Sequence, residues 1–483
     1  MTTKVFLRAD GHNKIGLGHI VRSLALAKML QQDFDCYFLV QEPGEAIVRM
    51  VNEAGCTLIG LKANTDLEQE AHLITDRYLT GQEIVVLDGY HFTTTYQEIL
   101  RKSACKLVCI DDIHQTHFVA DVLINHTSGI KTSAYSAATH TQFHLGLAYA
   151  LLRQPFLKAA RQKKRNPPTS ETVAFICMGG ADPINATLRA LQSCEKKASI
   201  QSCKVVIGSA YMHLASLEAF KQQSRLQINL YGNLSADKMV ELMSTCDLAI
   251  CPPSTVSLEY LCVGHKLYLF QTADNQSHLY QYLIHQGLAL GWEDFVGDKR
   301  ELQPFTAIDA SELDGYSDKR LLKIFRQLDY DLHCRFRQAR PDDMLQYWTW
   351  ANDPETRMQS FQKDPIKLED HRQWYQQQLD NPKIMLYILE YKNQPIGQVR
   401  FSVNGFALLN YSIAPAFRGR SLGTHMLRGA IQRLQTDLQE PINVIGYVKK
   451  ENEASNRALT RLGFQRVAHE KEEQSFKYLL IAG

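Results

Sequence analysis

The sequence predicts an α/β protein in which two parallel-sheet domains precede an α+β domain. Short apolar runs alternate with helical stretches twice along the chain, and a basic, proline-bearing hinge, RQKKRNPPTS, separates the two series. Alternation of this kind is typical of parallel sheets with crossover helices. Toward the end of the chain the pattern changes to an antiparallel hairpin and a sheet that feeds a helix. We therefore predict domains at residues 1–160, 170–328 and 335–483.

Ten apolar runs predict the strands of the two parallel-sheet domains. In the first domain they are KVFLRA, CYFLV, EIVVLD, KLVCI and DVLIN, and in the second they are TVAFI, KVVI, QINLY, DLAIC and KLYLF. Short apolar runs bounded by turn residues are typical of buried strands. Two such domains in tandem place the carboxyl ends of two sheets across a cleft, which is where α/β proteins bind ligands.

The composition is that of an ordinary globular protein. The chain has 483 residues, a formal net charge of +2, and 45% hydrophobic and 22% charged residues, which suggests neither a nucleic-acid nor a membrane partner. The start, MTTKVFLRAD, lacks the apolar core and cleavage site of a signal peptide. We expect a cytoplasmic protein. The eleven cysteines, scattered through apolar runs without C-x-x-C, predict reduced, buried thiols rather than disulfides or a zinc site.

His19 directly follows a glycine-bearing loop and precedes a predicted helix in KIGLGHIVRSLALAKML. The helix prediction rests on good helix formers and on a buried face that comprises Leu17, Val21, Leu24 and Lys28. A helix N-terminus attracts anions and disfavours a protonated imidazole, so a neutral His19 could act as a base beside bound phosphate. The alternative is a capping or hydrogen-bonding histidine, because G-x-G-H is not the full dinucleotide fingerprint.

Polar and glycine residues collect where the predicted strands end, and there they could line a ligand site. They are Asp88, Asp111, Asp112, Gly179, Gly180, Asp182, Ser254 and Thr255. Gly179 and Gly180 fit either close backbone approach to a phosphate or a tight turn that needs positive φ. Asp111 and Asp112 fit either catalysis or the capping of a turn or helix.

Two further patterns near these strand ends carry alternatives. His114 and His117 have H-x-x-H spacing beside two carboxylates, but no compelling third ligand accompanies them, so we expect no metal. Glu259 follows PPST by about one helical turn. Its carboxylate could accept hydrogen bonds from a ribose or from the helix N-terminus.

Residues 1 to about 328 resemble the UDP-sugar hydrolases of pseudaminic acid biosynthesis, relatives of nucleotide-sugar glycosyltransferases with two Rossmann-like domains in the GT-B arrangement. The matching segments, in order, are RADG, IGLGHIVRSLALA, DGY, IDD, ICMGGAD, SLEYL and QTADNQ. The resemblance implies attack of water on the anomeric carbon of a UDP-linked diacetamido-trideoxy sugar, with release of UDP and free sugar. His19 matches the histidine proposed to orient or deprotonate that water, and Glu259 matches the ribose-binding carboxylate.

The same resemblance implies a set of substrate-binding residues along these motifs. Besides Glu259 they are Gly16, Gly18, Arg22, Asp88, Asp111, Gly179, Gly180, Asp182, Ser254, Thr255, Asn275 and Gln276. Ser254, Thr255 and Gln276 fall where the nucleotide diphosphate would lie.

The last domain has a different pattern. CRFR predicts an opening strand, a Trp-rich polar stretch predicts helices, and IMLYILEYKNQPIGQVRFSV predicts a hairpin that turns at residues 392–395 before the strand FALLNYSI. PAFRGRSLGTHMLRGAIQRL then predicts a basic glycine loop and an amphipathic helix. Backbone amides from Arg418 to Gly423 suit a pyrophosphate, although a basic helix start is also typical of a solvated surface.

Residues 335 to about 481 resemble the GCN5-related N-acetyltransferases (GNAT), because RGRSLG is similar to their acetyl-CoA loop R-x-x-G-x-G and NEASNRALTRLGF to the motif that follows it. The implied cofactor-binding residues are Ile413, Arg418, Gly419, Arg420, Ser421, Leu422, Gly423, Thr424, Asn452 and Ser455. Ser421 stands where glycine is usual, which is tolerable if its φ stays negative. Leu459 replaces the tyrosine that protonates the leaving thiolate in many members, so Tyr411, Tyr447 or water would take that role.

The two resemblances together imply a bifunctional enzyme. It would use acetyl-CoA as cosubstrate to N-acetylate a UDP-4-amino-4,6-dideoxy sugar, and would hydrolyse the resulting UDP-2,4-diacetamido-2,4,6-trideoxy-β-L-altrose. No metal is expected, and the oligomeric state stays open. The alternatives keep both folds: a nucleotide-sugar glycosyltransferase or a sugar-nucleotide sensor joined to a protein or amino-acid N-acetyltransferase.

Overall fold

The computed structural model describes residues 2–11, 17–64, 66–162, 172–208, 210–297, 312–468 and 475–482. The chain divides into two compact units, Met1–Ile324 and Phe325–Gly483. Among the described residues, no helix is both long and apolar enough to span a membrane.

The first unit begins with a seven-stranded sheet that is parallel throughout. Its strands are β1 (Thr3–Ala9), β2 (Phe34–Gln41), β3 (Thr57–Leu61), β4 (Ile84–Asp88), β5 (Lys106–Ile110), β7 (Val122–Asn125) and β9 (Gln142–Leu145), while β6 (His117–Phe118) and β8 (Ser136–Ala137) form a separate pair. The strand order is β3-β2-β1-β4-β5-β7-β9. The helices between the strands are α1 (Gly18–Leu30), α2 (Glu45–Glu53), α3 (Leu67–Tyr78) and α4 (Thr94–Arg101).

A second parallel sheet follows within the same unit. After α5 (Gln154–Gln162) come β10 (Thr172–Ile176), α6 (Ala186–Glu195), β11 (Ile200–Ile207), α7 (Leu214–Gln223), β12 (Gln227–Gly232), α8 (Ala236–Ser244), β13 (Leu248–Cys251), α9 (Thr255–Val263), β14 (Lys266–Leu269), α10 (Ser277–His285), β15 (Leu290–Gly291) and α11 (Trp292–Gly297). The strand order is β12-β11-β10-β13-β14-β15. Helix α5 packs against α8 and α9.

Both sheets are Rossmann-like, as the alternation of apolar runs predicts, and each of the ten predicted runs forms a strand. Strands β4 and β7 are buried along their whole length, because helices cover both faces of a parallel sheet. The prediction for α1 was wrong in one respect. Lys28 is exposed, and the helix is buried around most of its circumference, including the polar residues His19, Arg22 and Ser23.

The second unit is built on one mixed sheet. After α12 (Ser317–His333), its elements are β16 (Cys334–Gln338), α13 (Met344–Ala351), α14 (Pro354–Gln359), α15 (Leu368–Leu379), β17 (Ile384–Tyr391), β18 (Gln394–Val403), β19 (Ala407–Ile413), α16 (Leu422–Leu438), β20 (Val444–Lys449), α17 (Glu453–Arg461), β21 (Gln465–Val467) and β22 (Ser475–Leu480). The strand order is β16-β17-β18-β19-β20-β22-β21. The sequence predicts an antiparallel sheet, but β19 and β20 are parallel because α16 forms a crossover between them.

Helix α16 covers one face of this sheet. Met426, Leu427 and Ala430 of α16 pack on Val399 and Phe401 of β18 in the main core of the unit. A smaller cluster on the other face joins Leu386 and Ile388 of β17 to aromatic residues of α13 and α15. The predicted hairpin is present, and Lys392 and Asn393 form its turn with φ of +51° and +64°.

Candidate functional site

His19 is the second residue of α1, so the strand and the helix predicted on either side of its loop are present. Gly18 is the first residue of that helix, and a Cβ on it would meet no atom within 4 Å. Gly16 lies outside the described residues. Strand β1 ends at Ala9, which lies beside Asp88 at the end of β4 in the sheet register. The helix start and the end of a neighbouring strand therefore bring His19 and Asp88 together.

A buried ion-pair network joins α1 to β4. His19 Nδ1 lies 2.7 Å from Asp88 Oδ1, and Ser23 Oγ donates to Oδ2 at 2.8 Å. Arg22 Nε donates to both carboxylate oxygens at 3.0 and 2.9 Å, and its Nη2 donates to Oδ1 at 2.6 Å. Asp88 is 1% exposed, which makes these bonds strong and its charge dependent on them.

The network assigns the tautomer of His19. Burial by itself would raise the pKa of Asp88, but the charge of Arg22 and the hydrogen bonds to His19 and Arg22 hold it well below its usual range. Asp88 is therefore a carboxylate, which can only accept. Nδ1 of His19 lies 2.7 Å from this carboxylate and 3.0 Å from Nη2 of Arg22, which can only donate. A lone pair on Nδ1 facing the carboxylate at 2.7 Å would be repelled, so in the neutral imidazole we assign the proton to Nδ1, which donates to Asp88, while Arg22 Nη2 donates to Asp88 Oδ1. The other ring nitrogen, Nε2, then carries the lone pair that a general base needs.

Arg22 extends the network to Asp112, a candidate from the sequence, and to His126, which sequence reasoning did not select; Tyr90, which it also did not select, lies beside His19. Its Nη1 donates to Asp112 Oδ2 at 3.0 Å and lies 3.1 Å from Nε2 of His126. Burial and the charge of Arg22 lower the pKa of His126 to about 4, so this histidine is neutral and accepts. The ring of Tyr90 makes an edge contact with that of His19 at 4.9 Å. His126 directly follows β7, so the strand-end rule that selected Asp88 could have found it.

Asp111 serves the turn after β5 rather than this network. Its carboxylate accepts hydrogen bonds from the backbone amides of Ile113 and His114, at 3.3 and 2.6 Å. Burial raises its pKa. This geometry is that of the turn-capping alternative. The second histidine of the H-x-x-H pair, His117, contacts Ser136 Oγ at 2.7 Å, and no group of three or more possible metal ligands occurs in the described parts of the chain.

The loop after β10 contains two glycines with free space around them, and an aspartate of the same loop caps the helix that follows. Gly179 has φ of +90°, and a Cβ on Gly179 or Gly180 would meet no atom within 4 Å, so backbone approach to a ligand and a turn that requires glycine coexist here. Asp182 accepts hydrogen bonds from the amides of Ala186 and Thr187 at 2.7 and 2.8 Å. The chain's own carboxylate therefore occupies the anion position at the start of α6.

The corresponding loop after β13 leads into α9. Ser254 is the N-cap residue, and its amide donates to Ser257 Oγ at 3.2 Å, while Thr255 is the first helical residue. Glu259 does not bond to that helix start. Its two carboxylate oxygens accept hydrogen bonds of 2.7 Å from Nε and Nη2 of Arg153, a residue that sequence reasoning did not select.

Asn275 and Gln276 lie in a short turn after β14. The Nδ2 group of Asn275 donates to the hydroxyl of Tyr90 at 3.2 Å, which connects this turn to the network around His19. Gln276 Oε1 accepts from the amides of Thr272 and Ala273 at 2.8 and 3.3 Å, so its side chain holds the turn. The structure therefore brings Asn275, but not the Gln276 side chain, toward the His19 network.

In the second unit, the basic loop lies at the start of α16 as predicted. Gly419 has φ of +74°, and neither Gly419 nor Gly423 has a neighbour that would clash with a Cβ, the nearest being Ile413 Cδ1 at 3.5 Å from position 423. Leu422 is the first residue of α16 and is buried, and Thr424 lies in the first turn of the same helix. The free amides of a seventeen-residue helix and these open glycines fit a pyrophosphate.

Two loop residues differ from expectation. The φ of Ser421 is +62°, so the condition of a negative φ is not met, and the serine adopts the left-handed conformation that glycine would take without strain. Arg418 donates to Asp353 at 2.6 Å and to Glu355 at 2.9 Å, and its Nε donates to the carbonyl of Ile413 at 3.2 Å. These bonds hold the loop against α14. Arg420 lies over the ring of Phe417 at 5.4 Å.

The start of α17 places three polar residues together. Asn452 is the N-cap residue, and its Oδ1 accepts from the amide of Ser455 at 3.1 Å. The hydroxyl of Tyr411 donates to Ser455 Oγ at 2.8 Å. Leu459 is fully buried in the main core, whereas Tyr447 is 37% exposed. Tyr411, one of the two tyrosines considered from the sequence, therefore lies beside a predicted cofactor-binding residue.

Comparison with known proteins bears on both units. The family described as "Acetyltransferase (GNAT) domain" matches residues 333–465. The UDP-2,4-diacetamido-2,4,6-trideoxy-beta-L-altropyranose hydrolase of Campylobacter jejuni is 24% identical over 292 residues, which cover 59% of this chain and 97% of that protein. The spore coat polysaccharide biosynthesis protein SpsG of Bacillus subtilis is 22% identical over 312 residues, which cover 63% of this chain and 88% of that protein.

A longer match is an uncharacterized protein of Methanocaldococcus jannaschii, 24% identical over 395 residues that cover 77% of this chain and 78% of that protein. The chain thus carries a GNAT acetyltransferase domain, and its N-terminal region is homologous to the UDP-sugar hydrolase of Campylobacter jejuni and to SpsG.

Proposed function

We propose that this protein performs two consecutive reactions on one UDP-linked sugar. The GNAT domain transfers an acetyl group from acetyl-CoA to the amine of a UDP-4-amino-4,6-dideoxy sugar. The N-terminal region, with its two sheets in the GT-B arrangement, hydrolyses the resulting UDP-2,4-diacetamido-2,4,6-trideoxy-β-L-altrose. The observation that carries the hydrolytic half is the 2.7 Å contact between His19 Nδ1 and Asp88, because it leaves the lone pair of Nε2 available to act as a base.

In the hydrolytic step, His19 Nε2 accepts a proton from water while the water oxygen bonds to the anomeric carbon. The bond from that carbon to the diphosphate oxygen breaks, and its electron pair leaves with UDP. Asp88 holds the ring through Nδ1 and stabilises the imidazolium that forms, the role of a buried carboxylate behind a catalytic histidine. Arg22 keeps Asp88 ionised, which is a positioning role.

The nucleotide would lie against the carboxyl ends of the second sheet. Gly179 and Gly180 leave room for the backbone to approach phosphate, and Ser254 and Thr255 present the first amides of α9. Glu259 would accept from the ribose hydroxyls with lone pairs that Arg153 does not use, because each carboxylate oxygen has two acceptor sites. Asn275 would face the sugar from its position on Tyr90.

In the acetyl transfer, the neutral amine attacks the thioester carbonyl, a nitrogen–carbon bond forms and the carbon–sulfur bond breaks. The proton that the nitrogen loses passes to a base or to water, and one proton is taken up by the leaving thiolate. Acetyl-CoA supplies the activated acyl group, and the amides between Arg418 and Gly423 would hold its pyrophosphate. Tyr411 would donate the proton that the leaving thiolate takes up. Burial raises the pKa of Tyr411, which keeps its hydroxyl protonated, and Ser455 Oγ holds that hydroxyl in place.

One incubation tests both halves. The full chain is mixed with UDP-4-amino sugar and acetyl-CoA, with no other acceptor present, and products are resolved by mass. We expect an acetylated UDP-sugar followed by free diacetamido sugar and UDP. Acetylation without UDP release, restored by an added sugar acceptor, would instead indicate a glycosyltransferase. Absence of acetylation would redirect the GNAT domain to a protein or amino-acid acceptor.

A further inference from the structure

Arg400 is a partly buried cation that has no carboxylate partner among the residues that the structure describes. Its Nε atom is buried and has no hydrogen-bond partner there. Its guanidinium carbon lies 5.3 Å from the ring of Trp374, and the hydroxyl of Tyr347 interacts with its charge. The buried arginines of the first unit, Arg8 and Arg22, both bond to carboxylates. Burial of an uncompensated charge is costly, so Arg400 needs an explanation.

The sheet register shows which face of the second unit Arg400 occupies. Val399 and Phe401 point to α16, so Arg400 and Gln398 point to the opposite face. There they lie across from Leu386 and Ile388 of β17, which belong to the smaller aromatic cluster. Arg400 is only partly covered, so a ligand can reach it.

Two carboxylates near this side of the sheet, Glu390 and Asp343, are already paired with Arg337. Glu390 Oε1 accepts a hydrogen bond of 2.7 Å from Nε of Arg337. Asp343 accepts hydrogen bonds of 2.6 and 2.8 Å from Nη1 and Nη2 of Arg337. Burial lowers the pKa of Arg400, consistent with the lack of a compensating charge. No carboxylate of the described residues compensates the charge of Arg400, so the guanidinium can bind an anionic ligand.

Gln398 supplies a complementary acceptor on the same strand face. Its Nε2 donates to Ser412 Oγ at 3.1 Å, while its Oε1 is buried and unpartnered. In the register Gln398 lies opposite Ser412, next to Ile413, whose carbonyl holds Arg418 of the acetyl-CoA loop. Arg400 lies opposite Asn410, two residues farther from that loop. An acceptor for N–H or O–H groups is thus near the loop, and a cation lies about 7 Å beyond it.

We propose that Arg400 binds the diphosphate of the acetyl acceptor and that Gln398 accepts from a donor group on its sugar. The proposal rests on the acceptor being a UDP-linked amino sugar, as proposed above. Along β18, Gln398 lies nearer the acetyl-CoA loop and Arg400 lies farther from it. A UDP-amino sugar has the same order of groups, because its amine must reach the thioester while its diphosphate lies farther away. A planar guanidinium stacked on Trp374 presents its remaining N–H groups as a fork suited to phosphate oxygens.

The kinetic test uses the full chain with Arg400→Met, which keeps the aliphatic stem over Trp374 and removes the charge. We expect KM for the UDP-amino sugar to rise about 10- to 100-fold, with KM for acetyl-CoA unchanged. Arg400→Lys should recover part of the loss, because it restores charge without the fork. The matched control is Arg372→Gln on α15, an exposed arginine paired with Glu369, which should behave as the parent.

Thermal stability separates binding from folding. Removal of an unpaired buried charge should leave the melting temperature of Arg400→Met equal to or above that of the parent. A variant that melts lower and also loses activity would assign Arg400 a structural role and overturn the proposal. Unchanged KM for the UDP-amino sugar in a folded Arg400→Met chain would overturn it as well.

A second experiment measures anion binding directly and does not depend on turnover. Inorganic pyrophosphate should change the tryptophan fluorescence of the parent and of Arg372→Gln, and the change should be absent in Trp374→Phe and in Arg400→Met. Succinate at equal ionic strength should have no effect. A response to succinate alone, or a pyrophosphate response that persists in Arg400→Met, contradicts a diphosphate site at Arg400. If the parent fails to acetylate any UDP-amino sugar, the proposed function fails, and this arm still decides the oxyanion site.

Discussion

Arg153 and Glu259 form a two-pronged ion pair, with Nε and Nη2 of the arginine each 2.7 Å from a carboxylate oxygen. Arg153 immediately precedes α5, and Glu259 lies in α9 of the second sheet, so the pair joins two parts of the first unit that are 106 residues apart. Glu259 is 3% exposed. A ribose-binding carboxylate would thus be rigidly oriented by Arg153 before the nucleotide arrives.

Replacement of Glu259 by alanine should therefore affect two properties. UDP binding should weaken by about 1 to 3 kcal/mol, the loss of a charge-assisted hydrogen bond, as measured by calorimetry. Because Arg153 loses its partner, the free energy of unfolding should also fall by about 1 to 3 kcal/mol in urea titrations. The double variant Arg153→Met/Glu259→Met should regain stability but not UDP affinity. Unchanged UDP affinity in Glu259→Ala would remove Glu259 from the site.

Replacement of His19 by alanine should separate the two activities. UDP binding should persist because the glycine-loop amides remain, while hydrolysis should fall roughly 10²- to 10⁴-fold, the range for general acid–base catalysis. With UDP-amino sugar and acetyl-CoA, the variant should accumulate the acetylated UDP-sugar. A capping histidine would instead cost about 1 kcal/mol of stability and leave turnover nearly intact. Hydrolysis and thermal stability measured on one preparation distinguish these outcomes.

His126 should make the first unit less stable in mild acid. Its folded pKa of about 4 lies below the ordinary 6.5, so the unfolded chain takes up the proton first and the free energy of unfolding decreases as pH falls through this interval. The loss between pH 7 and pH 5 should be about 2 kcal/mol in urea titrations. His126→Gln, whose carbonyl still accepts from Arg22, should flatten that dependence. An unchanged pH slope would show that His126 is not held neutral.

A second buried histidine, His144, provides a control for the effect of pH on stability. Burial also lowers the pKa of His144 to about 4, and His144 lies on β9 outside the His19 network. His144→Gln should likewise reduce the acid sensitivity while hydrolysis per folded molecule stays at the level of the parent.

Replacement of Ser421 by glycine should stabilise the second unit. The residue has φ of +62°, which costs a residue with a Cβ about 1 kcal/mol and costs glycine little. We expect a higher melting temperature and an equal or lower KM for acetyl-CoA. Ser421→Ala keeps the strain and should show no gain, which makes it the matched control. A gain in both variants would point to loss of the hydroxyl rather than relief of strain.

Replacement of Tyr411 by phenylalanine should slow acetyl transfer. The variant lacks the hydroxyl that contacts Ser455, so kcat should fall about 10²-fold or more if this group protonates the thiolate, with little change in KM for acetyl-CoA. Tyr447→Phe, on an exposed side chain, tests the other tyrosine. The reverse result would transfer the role to Tyr447, and no effect in either variant would leave the proton to water.

Local patterns were enough to predict the strands but not the weaker edges of the sheets. Runs such as IVVLD are apolar throughout because both faces of β4 are covered. Strands β3 and β9 escaped prediction because TLIGL contains a glycine and is partly exposed, and QFHL is half polar. The parallel pairing of β19 with β20 depends on the path of α16, which no local pattern contains.

Many residues of the candidate site were predictable from the sequence, but the hydrogen bonds and ion pairs between them were not. His19, Arg22 and Asp88 carry motif signals, yet nothing in their spacing shows that one carboxylate binds both other side chains. Arg153 and His126 carry weak signals because their partners lie 106 and 104 residues away in the chain. The engagement of Arg418 by α14 was equally invisible, since Asp353 reads as an ordinary helix cap.

The sequence by itself determined the order of the predicted elements, the helix that contains His19, the glycines after β10 and the basic glycine loop before α16, because these depend on side-chain periodicity and backbone propensity over a few residues. Only the tertiary structure decided which charges are neutralised. Asp182 bonds to the start of its own helix and Glu259 bonds to Arg153, while Arg400 has no carboxylate partner among the described residues. Electrostatic pairing is a property of space rather than of sequence distance, so the free charge that indicates a ligand appears only when the chain is folded.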